Sequence, residues 1–533
     1  MNDTDPTPAP STEAVPPPEA TARAGSGAGA GILRNSMWLT IDTLVSMAGA
    51  FYCSILVARG LGPDFMGQYN YILYFATVLK LVSDLALSVT VRKFAAEFIG
   101  QEDYGSVRTL VRRAMRLQAV LASVGVMVGL AIVMVTFAPE QRVVGALAVF
   151  SIVPSLLLSM PSGALWAAGS LRQNVLSSLA SNAVNIVGTT VSVVAGWGLV
   201  GLTASLLLSR LVDFALRYTL FRRLYDRLPG IPRVGPLDPA LRGRMIRFAA
   251  QQLVLALLYA LLFDRVEVFF LRGMAPSREI AFFSISFTLV SYVLQFPQNL
   301  ADSASIRVWV DHGRAPEEAA RTTAVATWFV MLFAAPALFG VAAVADPLLT
   351  LLYGAKYLPA IPVLTVLAVV SLSLAVSQPS QLLLVGAGRN GFYILWLCVA
   401  GLVAVTGDLL LIPAFGAVGA AFAKGAGQAT AAAGFVGYVW FHFRARPPLW
   451  RMAKLLLACA AMAVVVRLVG RSLPSILALV VGVPLGAVLF VLFARWLRFL
   501  DGADGDRLRQ LARLIPSRAR GSYGALVDFL VQA

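Results

Sequence analysis

Residues 54–71 read SILVARGLGPDFMGQYNY, an apolar run closed by Arg59-Gly60-Leu61-Gly62-Pro63-Asp64 before a second apolar run begins. Gly-Pro marks a turn, and proline suits the first position of the helix that follows. Apolar blocks like these recur along the chain at about 18–25 residues each, the length at which a helix crosses a ~30 Å hydrocarbon core. The 533 residues are 58% hydrophobic and 13% charged, whereas a soluble domain carries about 25% charged residues. The excess is too large for one buried core. The expected fold is all-α, a polytopic membrane protein with about fourteen spans beginning near residues 36, 69, 117, 143, 176, 199, 248, 279, 324, 358, 391, 416, 453 and 474.

Basic residues alternate sharply between loops. The segments 92–116, 222–247 and 442–454 are rich in arginine, while APEQR (138–142), AGWG (195–198) and PAFG (413–416) carry one basic residue or none. By the positive-inside rule the basic segments face the cytoplasm, and an even span count places both termini there, in the inner (cytoplasmic) membrane. The net charge of +16 therefore belongs to loops between membrane helices, and a nucleic-acid partner is excluded. Cys53, Cys398 and Cys459 all lie in apolar runs and read as small core residues. His312 and His442 stand too far apart for a metal site, and no cofactor is expected. Residues 1–33, rich in Pro, Ala and Thr, read as a disordered cytoplasmic tail. At the other end DRLRQLARLIPSRAR (506–520) sets Leu508, Leu511 and Ile515 on one helical face and Arg507, Arg509 and Arg513 elsewhere. A helix lying on the anionic leaflet and a solvated tail both fit that pattern.

The opening turn returns. Arg59-Gly-Leu-Gly-Pro63 reappears as Arg272-Gly-Met-Ala-Pro276, and Ser88-Val-Thr-Val-Arg92 as Ser303-Ala-Ser-Ile-Arg307. MPSGALWAAGSLRQN (160–174) is echoed by QPSQLLLVGAGRN (378–390), and Val200-Gly201 by Val418-Gly419. The matches keep their order and drift slowly in offset, six spans apart. An even offset makes the two halves parallel repeats, with a substrate path between them. The expected organisation is an N-lobe (34–228, spans 1–6), a C-lobe (229–445, spans 7–12), two further spans (446–497) and an amphipathic cytoplasmic tail (498–533). Arg59 and Arg272 then mark equivalent external turns, as structural anchors or as substrate ligands.

Charges at membrane depth cost roughly 2.5–3.5 kcal/mol on insertion scales and are functional candidates by default. Lys80 lies near the middle of span 2 with Asp84 one turn on, and Lys424 at similar depth in span 12. Arg210, Asp213 and Arg217 share a face of span 6. Asp264 and Glu267 share a face of span 7, with Arg265 turned away, while Asp42 and Asp408 stand alone. Internal ion pairs account for some of these, Lys80–Asp84 and the span 6 trio first. The unpaired Lys424 and Asp42 fit that account less well. Together with Asn182, Asn185, Gln295, Gln298, Asn299, Gln378 and Gln381, the charges point to a water-filled cavity of cationic character suited to a phosphate-bearing substrate. The candidate ligands are Lys80, Lys424, Arg210 and Arg59. The candidate coupling or cavity carboxylates are Asp42, Asp84, Asp264 and Glu267, the last two as a pair whose ionisations oppose each other. Pro154, Pro161, Pro297, Pro336 and Pro379 would bend their helices.

Asn35, VARGLGPDFMGQYNY (57–71), SDLALSVTVRKFAAEF (83–98), DPLLTLLYGAKYLPAIPVL (346–364), LVGAGRN (384–390) and GDLLLIPAFGAVGAAFAKGAGQ (407–428) resemble the polysaccharide flippases of the Wzx/RfbX type. These are relatives of lipid II flippases and multidrug exporters in the multidrug/oligosaccharidyl-lipid/polysaccharide exporter superfamily. The resemblance covers about residues 31–445 and implies a V-shaped transporter of two six-helix lobes. It further implies that an undecaprenyl-diphosphate-linked oligosaccharide is moved from the cytoplasmic to the outer leaflet, beside glycosyltransferases and a glycan polymerase. A cation-coupled exporter of small drugs and a lipid II flippase are the nearest alternatives. A polytopic glycosyltransferase or polymerase needs a large loop with catalytic carboxylates, and the loops here are short and basic, so no enzyme is expected.

Overall fold

The computed structural model describes residues 42–101, 103–167, 171–227, 239–314, 316–511 and 517–531. The tail read over 1–33, Asn35, and the terminal Arg513 and Ile515 lie outside them. Every regular element among the described residues is helical. The opening stretch is the end of α1 (Asp42–Leu61) and the start of α2 (Pro63–Asp84). A single residue, Gly62, forms the turn between them at φ 84, a left-handed value open to glycine, and Pro63 takes the first turn of α2.

α2 does not run on into a loop. Leu85 and Ala86 both adopt positive φ, and α3 (Leu87–Gly100) leaves at about a 50° bend. Asp84 accepts the Ser88 hydroxyl at 2.7 Å and so anchors the first turn of α3. α4 (Tyr104–Thr136) follows directly, with Asp103 accepting the Ser106 amide at 3.1 Å as its N-cap. The basic segment 92–116 is thus mostly helix. The chain continues through α5 (Arg142–Ala167), α6 (Leu171–Val194), α7 (Gly198–Arg227), α8 (Pro239–Phe263) and α9 (Glu267–Met274). Next come α10 (Ser277–Arg314), α11 (Pro316–Ala343), α12 (Ala345–Tyr353), α13 (Ile361–Val370) and α14 (Leu372–Gly386). The last are α15 (Asn390–His442), α16 (Leu449–Gly470), α17 (Ser475–Leu497), α18 (Gly502–Leu511) and α19 (Ser517–Val531).

Eleven of the described helices are long and apolar enough to cross a membrane, twelve if the bent pair α2–α3 is one crossing. Two features separate that count from the fourteen expected. The Ser, Asn and Thr residues of α6 dilute its hydropathy. α15, 53 residues long, turns back on itself at Gly416, where φ is 54 and ψ is −131. Its two arms lie against each other, since a Cβ on Gly407 would meet the Ala423 backbone and one on Gly427 the Ala400 carbonyl. Glu279 of α10 accepts the Ala417 amide at 3.0 Å and caps the second arm.

Lipid tails are as apolar as leucine, so close packing and small residues hold such helices together. α1 runs beside α6, with Gly49 against Ile186 and Asn182 donating to Ser46 at 2.7 Å. The largest apolar core joins the two halves of the chain. It places Ile72, Tyr74 and Phe75 of α2 against Ile280 and Phe283 of α10 and Tyr357. There the backbones touch, since a Cβ on Gly67 would overlap the Ser277 carbonyl. α16 packs on α11 through Met452, Leu455 and Cys459 against Trp328 and Met331. Cys459 is a core residue as expected and Cys53 is half-buried, but Cys398 is exposed. Of the stretch 506–520, read as a surface helix or a solvated tail, the described residues are the end of α18 and the start of α19. α18 and α19 are tied by Arg509–Asp528 at 2.7 Å, and Arg495 of α17 donates to the Phe529 carbonyl at 3.1 Å.

Candidate functional site

Two adjoining cavities open between the halves, sharing Thr77 on their walls. The smaller, about 410 Å³, is cationic. Lys80 of α2, Arg210 of α7 and Arg265, between α8 and α9, line it together with Asn185, Tyr69 and Asn70. The larger, about 800 Å³, carries no basic side chain on its wall among the described residues. Gln252, Gln295, Gln298 and Gln428 line it, with Tyr259 and the carboxylates Asp84 and Asp264.

Lys80 and Arg210, chosen by depth, thus reach one cavity. The expected Lys80–Asp84 pair does not form among the described residues, because α2 ends at Asp84 and its carboxylate turns to Ser88. Lys80 instead sits in the repulsive field of Arg210, offset by Asp84 and Asp213. The span 6 trio is divided. Asp213 and Arg217 pair at 2.8 Å, leaving Arg210 to face the cavity. Asp42, at the start of α1, keeps one buried oxygen without a hydrogen bond among the described residues. Gln295 and Gln298 line the larger cavity and Asn185 the smaller, as expected of polar residues at depth. Asn182, Asn299, Gln378 and Gln381 instead bond within the protein, to Ser46, Gln295, Asp302 and Ser377.

Lys424 is elsewhere. It is 1% exposed and bonded to Glu267 at 3.1 Å, with further bonds to the Leu262 and Asp264 carbonyls. The expectation of an unpaired lysine gives way to a sealed ion pair. Asp264 and Glu267 do not share a face either. The chain breaks between α8 and α9, so Glu267 turns inward to Lys424 while Asp264 lines the larger cavity, 4.0 Å from Arg265. The same break brings Arg265 to the cationic cavity, a residue that continuous-helix geometry turned away. The signal was the density of charge in Asp264-Arg265-Val266-Glu267 at the end of an apolar run. Asp408 is fully buried in the field of Glu267 and Lys424, with neither oxygen hydrogen-bonded among the described residues.

The halves meet at two ends. At the turn end, Arg59 crosses to donate to the carbonyls of Leu351 and Leu352 (the latter at 2.8 Å), which close α12. Its repeat partner Arg272 crosses the other way, donating to Gln141 at 3.2 Å and lying 5.3 Å from the Tyr71 ring. Tyr357 adds a bond to the Ala58 carbonyl at 3.3 Å. Geometry therefore makes Arg59 a clasp between halves, and it lines neither cavity. At the basic end, Arg244 of α8 bonds Glu97 of α3 at 2.8 Å, and Lys93 lies 4.0 Å from the Phe248 ring.

The sequence model described as a polysaccharide biosynthesis protein matches residues 56–362, more than half of the chain. The chain belongs to that family. Its fold is that of the transporters of the superfamily named above. It is similar to the lipid II flippase MurJ in an inward closed conformation, with a TM-score of 0.69 at 14% identity over 85% of this chain and 97% of that one. An inward-facing multidrug resistance MATE transporter follows at 0.63 and 15%, covering 77% and 98%. A superfamily transporter from Pyrococcus furiosus, described as having a binding pocket of reverse polarity, gives 0.56 and 17%, covering 78% and 96%. At these identities the likeness is one of fold. No curated protein matches the sequence.

Proposed function

We propose that this family member flips a polyprenyl-diphosphate-linked oligosaccharide from the cytoplasmic to the outer leaflet, for cell-surface polysaccharide synthesis. One observation carries the reading: Lys80, Arg210 and Arg265 converge on a small cavity that adjoins a larger one, whose largely apolar wall carries amides, hydroxyls and two carboxylates. The three cations suit a diphosphate, which guanidinium groups bind through paired hydrogen bonds. The larger cavity offers the donors and acceptors that sugar hydroxyls require. The prenyl tail would stay in lipid between the halves. No bond is broken; the two halves alternate access around fixed ligands.

In this reading the chain spans the cytoplasmic membrane fourteen times with both termini inside, the N-lobe (34–228) and C-lobe (229–445) rock about the shared cavity, and spans 13–14 (446–497) buttress α11. The basic end is then cytoplasmic. A glycosyltransferase would supply the substrate, and a glycan polymerase would take it up. A moving charge is biased by the membrane potential at about 2.3 kcal/mol per 100 mV. Coupling through a proton or cation would involve the buried Glu267–Lys424–Asp408 group, Asp42, or the cavity carboxylates Asp84 and Asp264.

A second reading, export of cationic drugs, is favoured by those two cavity carboxylates. Proteoliposomes separate the two. A fluorescent undecaprenyl-diphosphate oligosaccharide is expected to become accessible at the opposite leaflet only with protein present, and lipid II more slowly. Expulsion of cationic dyes with no movement of any lipid-linked sugar would falsify the flippase reading.

A further inference from the structure

A second basic site lies away from both cavities. The second arm of α15 ends at His442, and residues 443–448 lead without helix to α16, passing the start of α11. Between them is a recess of about 570 Å³ lined by Arg321, His442, Arg444 and Arg446, with Glu317 as its one carboxylate. None of its residues lines either substrate cavity.

Three features set these arginines apart. Arg321, Arg444 and Arg446 have no ion pair or hydrogen bond among the described residues, although Arg451, a few residues on, is held by Asp501, Asp504 and the Phe499 carbonyl. Arg446 lies 5.9 Å from the centre of the Trp440 ring. Arg444 adopts φ 56, a left-handed conformation that a non-glycine residue rarely takes. The chain tolerates that strain at a side chain lining the recess. Flanking the segment 442–446 in the chain, Phe441, Leu449 and Trp450 are 79%, 57% and 74% exposed, the aromatic signature of a membrane–water interface.

We propose that this recess binds a phosphate ester, supplied by an anionic phospholipid of the surrounding leaflet. Three guanidinium groups against one carboxylate leave an excess of positive charge. Guanidinium forks match phosphate oxygens, and these exposed flanking side chains seat the acyl chains that a soluble phosphate lacks. The bound headgroup bridges α11 to the α15–α16 junction. The inference does not depend on what the central cavity transports.

The full chain, purified and delipidated in detergent, is titrated with phosphatidylglycerol, phosphatidylcholine and inorganic phosphate, with first-ligand occupancy read by native mass spectrometry. Arg444→Gly removes the guanidinium while relieving the strained φ, so folding is preserved; Arg321→Gln is the second variant and Arg471→Gln, beyond α16 at its far end, the control. Wild type is expected to bind phosphatidylglycerol more tightly than phosphatidylcholine. Each recess variant is expected to lose about fivefold for phosphatidylglycerol, as one interfacial arginine contributes, and the control none. Equal phosphatidylglycerol binding by wild type and both recess variants overturns the site. Inorganic phosphate that binds with the same arginine dependence and displaces phosphatidylglycerol at millimolar concentration overturns the lipid as its source.

Discussion

Lys80 and Lys424 stand at similar depth in apolar segments, yet their surroundings are opposite. Lys80 opens on a cavity with two arginines and has no ion pair among the described residues. Lys424 is sealed in the C-terminal half against Glu267, two backbone carbonyls and the Phe287 ring 5.1 Å away. A cation that has met its counter-charge holds helices together; one left facing an aqueous gap is free to meet a ligand. Depth alone does not separate the two roles. The direction in which the helix presents the charge does.

The sharpest way to break the comparison is to remove each lysine and measure both stability and transport. Lys424→Ala leaves Glu267 charged and buried beside Asp408, and taking one partner from such a pair costs about 3–5 kcal/mol. A large fall in the thermal midpoint in detergent is expected, largely restored when Glu267→Gln is combined with Lys424→Met. A Lys424→Ala protein as stable as wild type would show that the pair is not structural. Lys80→Ala is expected to do the converse. Stability holds or rises, since repulsion from Arg210 is relieved, while flipping of the diphosphate-linked probe falls about ten- to a hundredfold, the loss of one charged hydrogen bond of ~1.5–3 kcal/mol. Arg210→Ala and Arg265→Ala should follow Lys80→Ala and not Lys424→Ala.

The sequence carried the parts of this contrast that depend on composition and order. The membrane class follows from the length of the apolar blocks, and the turn at Gly62-Pro63 from the two residues themselves. The Lys80–Arg210 choice follows from depth. What stayed hidden was the state of the helix axis. Leu85 and Ala86 take positive φ although neither is glycine. The gap between α8 and α9 carries no proline or glycine to announce it, and it alone decides that Arg265 faces the cavity and Glu267 does not. Helical face assignments fail wherever the axis breaks, because one skipped residue rotates every later side chain by about 100°. The Lys424–Glu267 pair, 157 positions apart, lies beyond any local periodicity.

The two ends of the contact between the chain's halves extend the comparison. The turn end is thick, with the Gly67–Ser277 backbone contact, a continuous aromatic core and two repeat-related arginines reaching across in opposite directions. Arg59→Gln removes a clasp at an exposed position, where bonds from a charge are weakened by solvent. A loss of about 1 kcal/mol is expected, read as faster hydrogen exchange at the α1–α2 turn and at the end of α12, with transport substrates unchanged. Arg272→Gln should match it, and a much larger loss at one arginine than at the other would break the reciprocity.

The basic end is thin. Glu97–Arg244 is its one ion pair between α3 and α8 among the described residues, with side chains 30% and 55% exposed, backed by the Lys93–Phe248–Phe94 cluster and by Leu241 and Met245 of α8 packing on the same apolar group. An exposed pair contributes about 0–1 kcal/mol and is screened by salt. Glu97→Gln should therefore leave the thermal midpoint almost unmoved and still shift the population toward opening at this end, because apolar contacts alone would then hold it shut. Hydrogen exchange at the α3 and α8 backbone amides of this end, which leaves both side chains in place, reads that population directly. Raising ionic strength should open the wild type and leave Glu97→Gln as it is. A salt response of equal size in both proteins would mean that the ion pair does not hold this end. The aromatic cluster would then be the gate, with Phe248→Ala as the variant that opens it.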